Sequence, residues 1–137
     1  MKSIFIVVML AIFALPMFGQ SSKYKEARAY LLNEGYSIST EQYADLAQGE
    51  TAGHTKTFYK NSEYFIFAIS DDSDVTDVDI YLNDASGSIY TKDTDTSNVA
   101  VVTFSPSFTR EMRVVMKNYA SNTPSYKSRC RILIAYK

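Results

Sequence analysis

One cysteine in 137 residues, no tryptophan and a single histidine set the first limits on this chain. A lone cysteine closes no internal disulfide, so in an oxidising compartment stability must come from the core or from a bound ion. Cys130 falls where Tyr126, Ser128, Cys130, Ile132, Ile134 and Tyr136 share one face of a strand, which predicts a buried structural thiol. With His54 alone, histidine-cluster zinc sites are excluded, and a Ser-His-Asp triad would depend wholly on that residue. The sequence holds no Gly-x-Ser-x-Gly elbow, no P-loop and no zincin motif. Paired carboxylates can serve glycoside hydrolysis, but without tryptophan a small domain offers little for a sugar-ring platform. These absences predict a protein that is not an enzyme.

Strong net charge is missing too. Fourteen Lys and Arg stand against fifteen Asp and Glu, a balance that argues against a nucleic-acid-binding protein. Long apolar runs are limited to Ile4–Leu15, preceded by Lys2 and followed by Pro16, Met17, Phe18, Gly19 and Gln20. That run is too short for a permanent membrane span, and a basic residue before it is the pattern of a cleaved secretory signal. Residues 1–20 therefore read as a signal peptide, with cleavage expected after Gly19 or Gln20, and the protein as exported, secreted or periplasmic. The only cysteine is Cys130, which argues against a lipoprotein signal; no integral membrane anchor is expected. What remains, residues 21–137, has the size of one domain.

Ser21 or Ser22 can cap a helix over Lys23–Glu34, with Tyr24, Ala27, Tyr30 and Leu31 at helical spacing and Gly35 at its end. The stretch from Tyr36 to Leu46 is mixed in pattern, and Gln48 to Gly53 reads as a loop. Short strands follow: Thr55–Tyr59, an apolar central Tyr64–Ile69, Val99–Phe104, Arg110–Asn118 and Tyr126–Tyr136. Seven or eight strands at close spacing predict a mainly β protein, an antiparallel, jelly-roll-like β-sandwich with one N-terminal helix.

Eight of the nine aspartates lie between Asp71 and Asp95, with only Lys92 among them. At the centre, Asp77-Val78-Asp79-Ile80-Tyr81-Leu82 alternates, which sends Val78, Ile80 and Leu82 to a core and turns Asp77, Asp79 and Tyr81 outward. Asn83 to Gly87 supplies turn residues, so Ser88–Lys92 should return as the second strand of a hairpin. A hairpin symmetric about that loop sets Asp77 opposite Asp93 and Asp79 opposite Thr91. Calcium is a hard cation that takes six to eight oxygens, and Asp71, Asp72, Asp74, Asp77, Asp79, Asp93 and Asp95 are the candidate ligands. The spacing does not match the twelve-residue EF-hand loop, so the expected site is an irregular one in sandwich loops. The bland alternative is that aspartates populate turns and keep exposed strands soluble.

From Thr96 onward seven basic residues face Glu111 alone, and Lys127, Arg129 and Arg131 form a stripe on the last strand opposite Cys130. That stripe can meet an anionic glycan, lipopolysaccharide or another acidic surface, or be a solvated face that shields a strand from edge pairing. The eleven tyrosines include Tyr43, Tyr59, Tyr81, Tyr90 and Tyr119, candidates for a ligand face. The expected function is a non-catalytic binding or structural module with a protein or glycan partner, with calcium at the acidic hairpin; an accessory subunit that docks on a secreted hydrolase through the basic strand is the second reading.

The turn-rich Leu46-Ala47-Gln48-Gly49-Glu50, the pair Thr57-Phe58-Tyr59 and Tyr64-Phe65-Ile66-Phe67, the aspartate-bearing strand with Gly87 closing its turn, Val101–Pro106 and Arg113-Val114-Val115 together resemble the bacterial pre-peptidase C-terminal domain. The resemblance spans Leu46 to the C-terminus. It implies a jelly-roll-like sandwich, export, attachment to secreted peptidases and, in some members, calcium. No catalytic domain precedes the resembling region here, which leaves a free-standing module as the expectation.

Overall fold

A computed structural model describes residues 22–137; the signal peptide expected at 1–20 lies outside them. One helix, α1 (Lys23–Asn33), precedes eight strands: β1 (Ser37–Leu46), β2 (Thr51–Phe58), β3 (Tyr64–Ile69), β4 (Val75–Asn83), β5 (Ile89–Asp93), β6 (Val99–Phe104), β7 (Arg110–Ser121) and β8 (Ser128–Tyr136). They form two four-stranded sheets in the orders β1-β8-β3-β6 and β2-β7-β4-β5, and every pairing is antiparallel. The pairs β1 with β8, β2 with β7, β3 with β6 and β4 with β5 are the rungs of one long hairpin rolled onto itself, the jelly-roll arrangement.

Alternation fills the space between the sheets. Val78, Ile80 and Leu82 of β4 meet Ile66, Val102, Val114, Met116, Cys130, Ile132 and Ile134. Phe58 packs edge-on to Tyr64 and Phe104, with ring centroids 4.8 and 5.5 Å apart. β3 is buried at all six positions, because its other face has a cover of its own. That cover is α1, whose buried Ala27 and Leu31 close Phe65, Phe67, Ile69, Leu133 and Ala135 into a second apolar cluster. Ser22 caps the helix, and Gly35 takes φ +87° just after it, a backbone region costly for any side chain with a Cβ.

Two local expectations are corrected. The mixed stretch before Leu46 is the edge strand β1, and Thr51–Gly53 belongs to β2 and not to a loop. Both are edge strands with largely exposed or half-exposed side chains, so neither needs an apolar alternation. The hairpin register also differs: Ile80 pairs with Asp93 and Leu82 with Thr91, while Asn83 pairs with Ile89. Tyr90 is the extra residue of a bulge, which slides β5 along β4 relative to a symmetric hairpin. On the other side of β4, Asp79 lies opposite Lys117 of β7 and Asp77 opposite Ala120.

Candidate functional site

The strands place the connections 47–50, 70–74, 94–98 and 122–127 at one end of the sandwich, and four of the seven candidate aspartates, Asp71, Asp72, Asp74 and Asp93, accept hydrogen bonds from backbone amides. Asp71 accepts from Lys23 N at 2.7 Å and Tyr24 N at 3.3 Å, at the start of α1. Asp72 accepts from Asp74 N at 2.9 Å, a local turn bond. Asp74 accepts from Thr123 N on the β7–β8 connection. Asp93 accepts from Asp95 N and, across the gap between sheets, from Val101 N at 2.9 Å, a donor on the free edge of β6. The aspartates so placed act largely as staples for loops and edges.

Asp77 and Asp79 differ. Their backbone belongs to β4, yet both are buried, at 4% and 2% exposure, although the alternation turns them away from the core between the sheets. Chain 94–98 runs along this part of β4: Val78 N donates to Ser97 O at 2.7 Å, and Ser97 N donates to Asp77 Oδ1 at 3.4 Å. The Tyr81 hydroxyl reaches Asp79 Oδ2 at 3.4 Å, and Asp79 Oδ1 has no hydrogen-bond partner. Burial pushes both carboxyls above the usual carboxylate range; the Asp77 charge adds to the shift of Asp79, and the charges of Asp93 and Asp95 add to that of Asp77. The Ser97 amide opposes the shift at Asp77, and the Tyr81 hydroxyl and the Lys117 charge oppose it at Asp79. Among the described residues no group of three or more His, Cys, Asp or Glu side chains is arranged to hold a metal ion. The structure thus brings together a carboxylate pair, not a set of seven. The sequence reading counted Lys117 among the basic residues after Thr96 but did not set it opposite Asp79; that position comes from the register of β7 on β4.

The basic stripe is engaged locally. Lys127 Nζ pairs with Glu50 and Arg129 Nε with Asp45, both at 3.1 Å. Arg129 lies 3.9 Å from the Tyr43 ring centroid, and Arg131 lies 5.0 Å from that of Tyr24. Burial, with the Glu41 charge second, pushes the Tyr24 hydroxyl up to about 12. The candidate tyrosines do not form one face: Tyr43 sits with β8's arginines on the first sheet, while Tyr81 and Tyr119 flank Asp79 and Lys117 on the second. His54 contacts Gln42 Nε2 through Nδ1 at 2.9 Å, joining the two edge strands, and burial followed by the Lys56 and Arg113 charges lowers its pKa.

No protein-family model matches the sequence, and no curated protein does. Solved structures do share the architecture. The pre-peptidase C-terminal domain of collagenase from Bacillus anthracis matches with a TM-score of 0.54 at 12% identity, over 71% of this chain and 89% of that one. PliG of Aeromonas hydrophila, a periplasmic inhibitor of g-type lysozyme, matches with a TM-score of 0.52 at 4% identity, over 76% and 90%. At such identities the likeness is one of fold. The chain is an antiparallel β-sandwich with a fold like that of the pre-peptidase C-terminal domain, the fold that the sequence resemblance implied. Among the described residues no helix is long and apolar enough to cross a membrane.

Proposed function

We propose that this chain is an exported, non-catalytic binding or structural module with a calcium position at the Asp77 and Asp79 pair. The observation that carries the reading is Asp79, buried with one carboxylate oxygen unpartnered and a second buried carboxylate two residues away on the same face. A carboxyl group in that setting either keeps its proton or, once ionised, requires a counter-charge. A divalent cation would supply the charge and satisfy the oxygen together. Calcium fits better than magnesium, because it accepts irregular oxygen sets that include water, whereas magnesium demands a near-ideal octahedron. The other five candidate aspartates are outside this narrower proposal; Asp71, Asp72, Asp74 and Asp93 hold backbone amides.

A binding role is supported by the company the fold keeps: a domain of a collagenase and an inhibitor of a lysozyme. Export is supported by the leader pattern at 1–20 and by the periplasmic location of the lysozyme inhibitor. The test is thermal unfolding of the purified chain in chelator, in millimolar calcium and in millimolar magnesium, alongside Asp79→Asn. Calcium at a hundredfold excess over its dissociation constant should add about 2.7 kcal/mol. The expected result is a calcium-specific rise in Tm that Asp79→Asn abolishes. Coincident curves, or a rise that survives the substitution, would sink the calcium position.

A further inference from the structure

The end of the sandwich opposite the acidic loops carries the connections 59–63, 84–88 and 105–109. Here Ile89, Tyr90 and Phe108 are 54%, 56% and 54% exposed. Arg110 lies among them, its guanidinium carbon 4.8 Å from the Phe108 ring centroid, 5.0 Å from Tyr90 and 5.5 Å from Phe104. Phe104 is buried and packs edge-on to Tyr90 at 5.1 Å, so the cluster is rooted in the core. Arg110 Nε is buried without a hydrogen-bond partner, and among the described residues no carboxylate comes within ion-pairing distance of this arginine. Asp84 feels its charge from beyond ion-pairing distance, while its Oδ1 accepts from Ser86 N, Ser86 Oγ and Ser88 N.

A cation with no ion-pair partner, set among large exposed apolar side chains on one end of the sandwich, is complementary to a carboxylate with an apolar neighbour. Exposed Tyr and Arg anchors beside apolar side chains are the composition of protein-interface hot spots. The planar guanidinium suits two-point binding of a carboxylate. Of the four side chains only Tyr90 and Arg110 can hydrogen-bond, few for the many hydroxyls of a sugar, which favours a protein over a glycan, and a lone arginine is too little for nucleic acid. We propose that Ile89, Tyr90, Phe108 and Arg110 form a docking site for a protein segment that presents an Asp or Glu next to Leu or Phe. The site is at the far end from Asp77 and Asp79, so it stands or falls independently of the calcium position.

The experiment is a backbone-amide NMR titration of the chain with capped peptides that place Asp or Glu beside Leu or Phe. A matched set with Asn or Gln and a uronic-acid oligomer serve as comparisons. The expected result is saturable shifts confined to Ile89, Tyr90, Phe108, Arg110 and their neighbours, at least tenfold weaker for the amide set. Binding should be lost in Arg110→Gln and in the loop variant Phe108→Ser, whose melting curves report whether the fold is kept. Absence of shifts, equal binding of the amide set, or shifts by the uronate alone would overturn the proposal. So would self-association by sedimentation that disappears in Phe108→Ser, since it would assign the patch to a second copy of the chain.

Discussion

Asp71 caps α1 from 48 residues away: its carboxylate accepts from Lys23 N at 2.7 Å, and the same group meets Tyr24 N at 3.3 Å. The first amides of a helix have no partner within it, and Ser22 Oγ satisfies only Lys25 N, at 3.1 Å. Lys23 Nζ adds a bond to Asn98 Oδ1 at 2.7 Å, so the helix start is tied to two loops of the acidic end. Asp71→Ala should therefore cost about 1 kcal/mol, as lost helix caps do, or roughly 4 °C in Tm. Asp71→Asn, which keeps an acceptor but removes the charge from the positive end of the helix dipole, should cost less. If Asp71→Ala melts no lower than the exposed-loop variant Asp95→Ala, the cap contributes nothing.

The raised pKa values of Asp77 and Asp79 fix the sign of a pH effect. Burial leads at both, and the folded chain holds these protons more tightly than the unfolded chain. Their contribution is thus present at low pH and is lost as pH rises through the folded pKa values. In chelator, Asp79→Asn should melt above the parent at pH 7, because it removes a buried charge beside Asp77, and the gap should narrow as pH falls toward 4. Melting curves across that range provide the check; a gap that does not change with pH would mean that Asp79 is not destabilised by ionisation.

Legibility in the sequence followed burial. Where one side of a strand enters the core the alternation was plain, and Val78, Ile80, Leu82 and the Cys130 face lie where the pattern placed them. β1 was not legible, because an edge strand whose side chains are mostly exposed carries no such constraint. A bulge at Tyr90 has no signature in the residues themselves, so the hairpin register was missed; the β7 partners of Asp77 and Asp79 are set by strand order across the sheet, which no local pattern carries. The staples, Asp71 to α1, Asp74 to Thr123 and Asp93 to Val101, join segments whose proximity is decided by the roll of the sandwich. The same is true of Arg110, whose three rings come from β5, β6 and the connection after β6.

Cys130 is fully buried in the core between the sheets, and burial pushes its thiol up to about 11. The thiolate is the reactive form, so at pH 8 the folded chain should be inert to a disulfide reagent and should react stoichiometrically in denaturant. Labelling of the native protein should proceed only as fast as it opens. Rapid native labelling would show that the face between the sheets is accessible near Cys130.

α1 is required by the sheet beneath it. Leu31 and Ala27 are fully buried over Phe65, Phe67, Ile69, Leu133 and Ala135, and Tyr36 closes the same cluster edge-on to Phe65 at 5.2 Å. Without the helix these residues would form an apolar patch on the outer face of β3 and β8, a surface rarely left open. Leu31→Ala should cost about 3 kcal/mol, in the range of buried leucine truncations. Leu32, one position along and 47% exposed, provides the control: Leu32→Ala should stay within about 0.5 kcal/mol of the parent. Because the cluster under α1 is separate from the core between the sheets, Leu31→Asp should expose it and raise binding of a hydrophobic dye while Cys130 stays protected. Equal Tm losses for Leu31→Ala and Leu32→Ala would contradict the packing of the helix. Loss of Cys130 protection in Leu31→Asp would instead mean that the two clusters unfold as one.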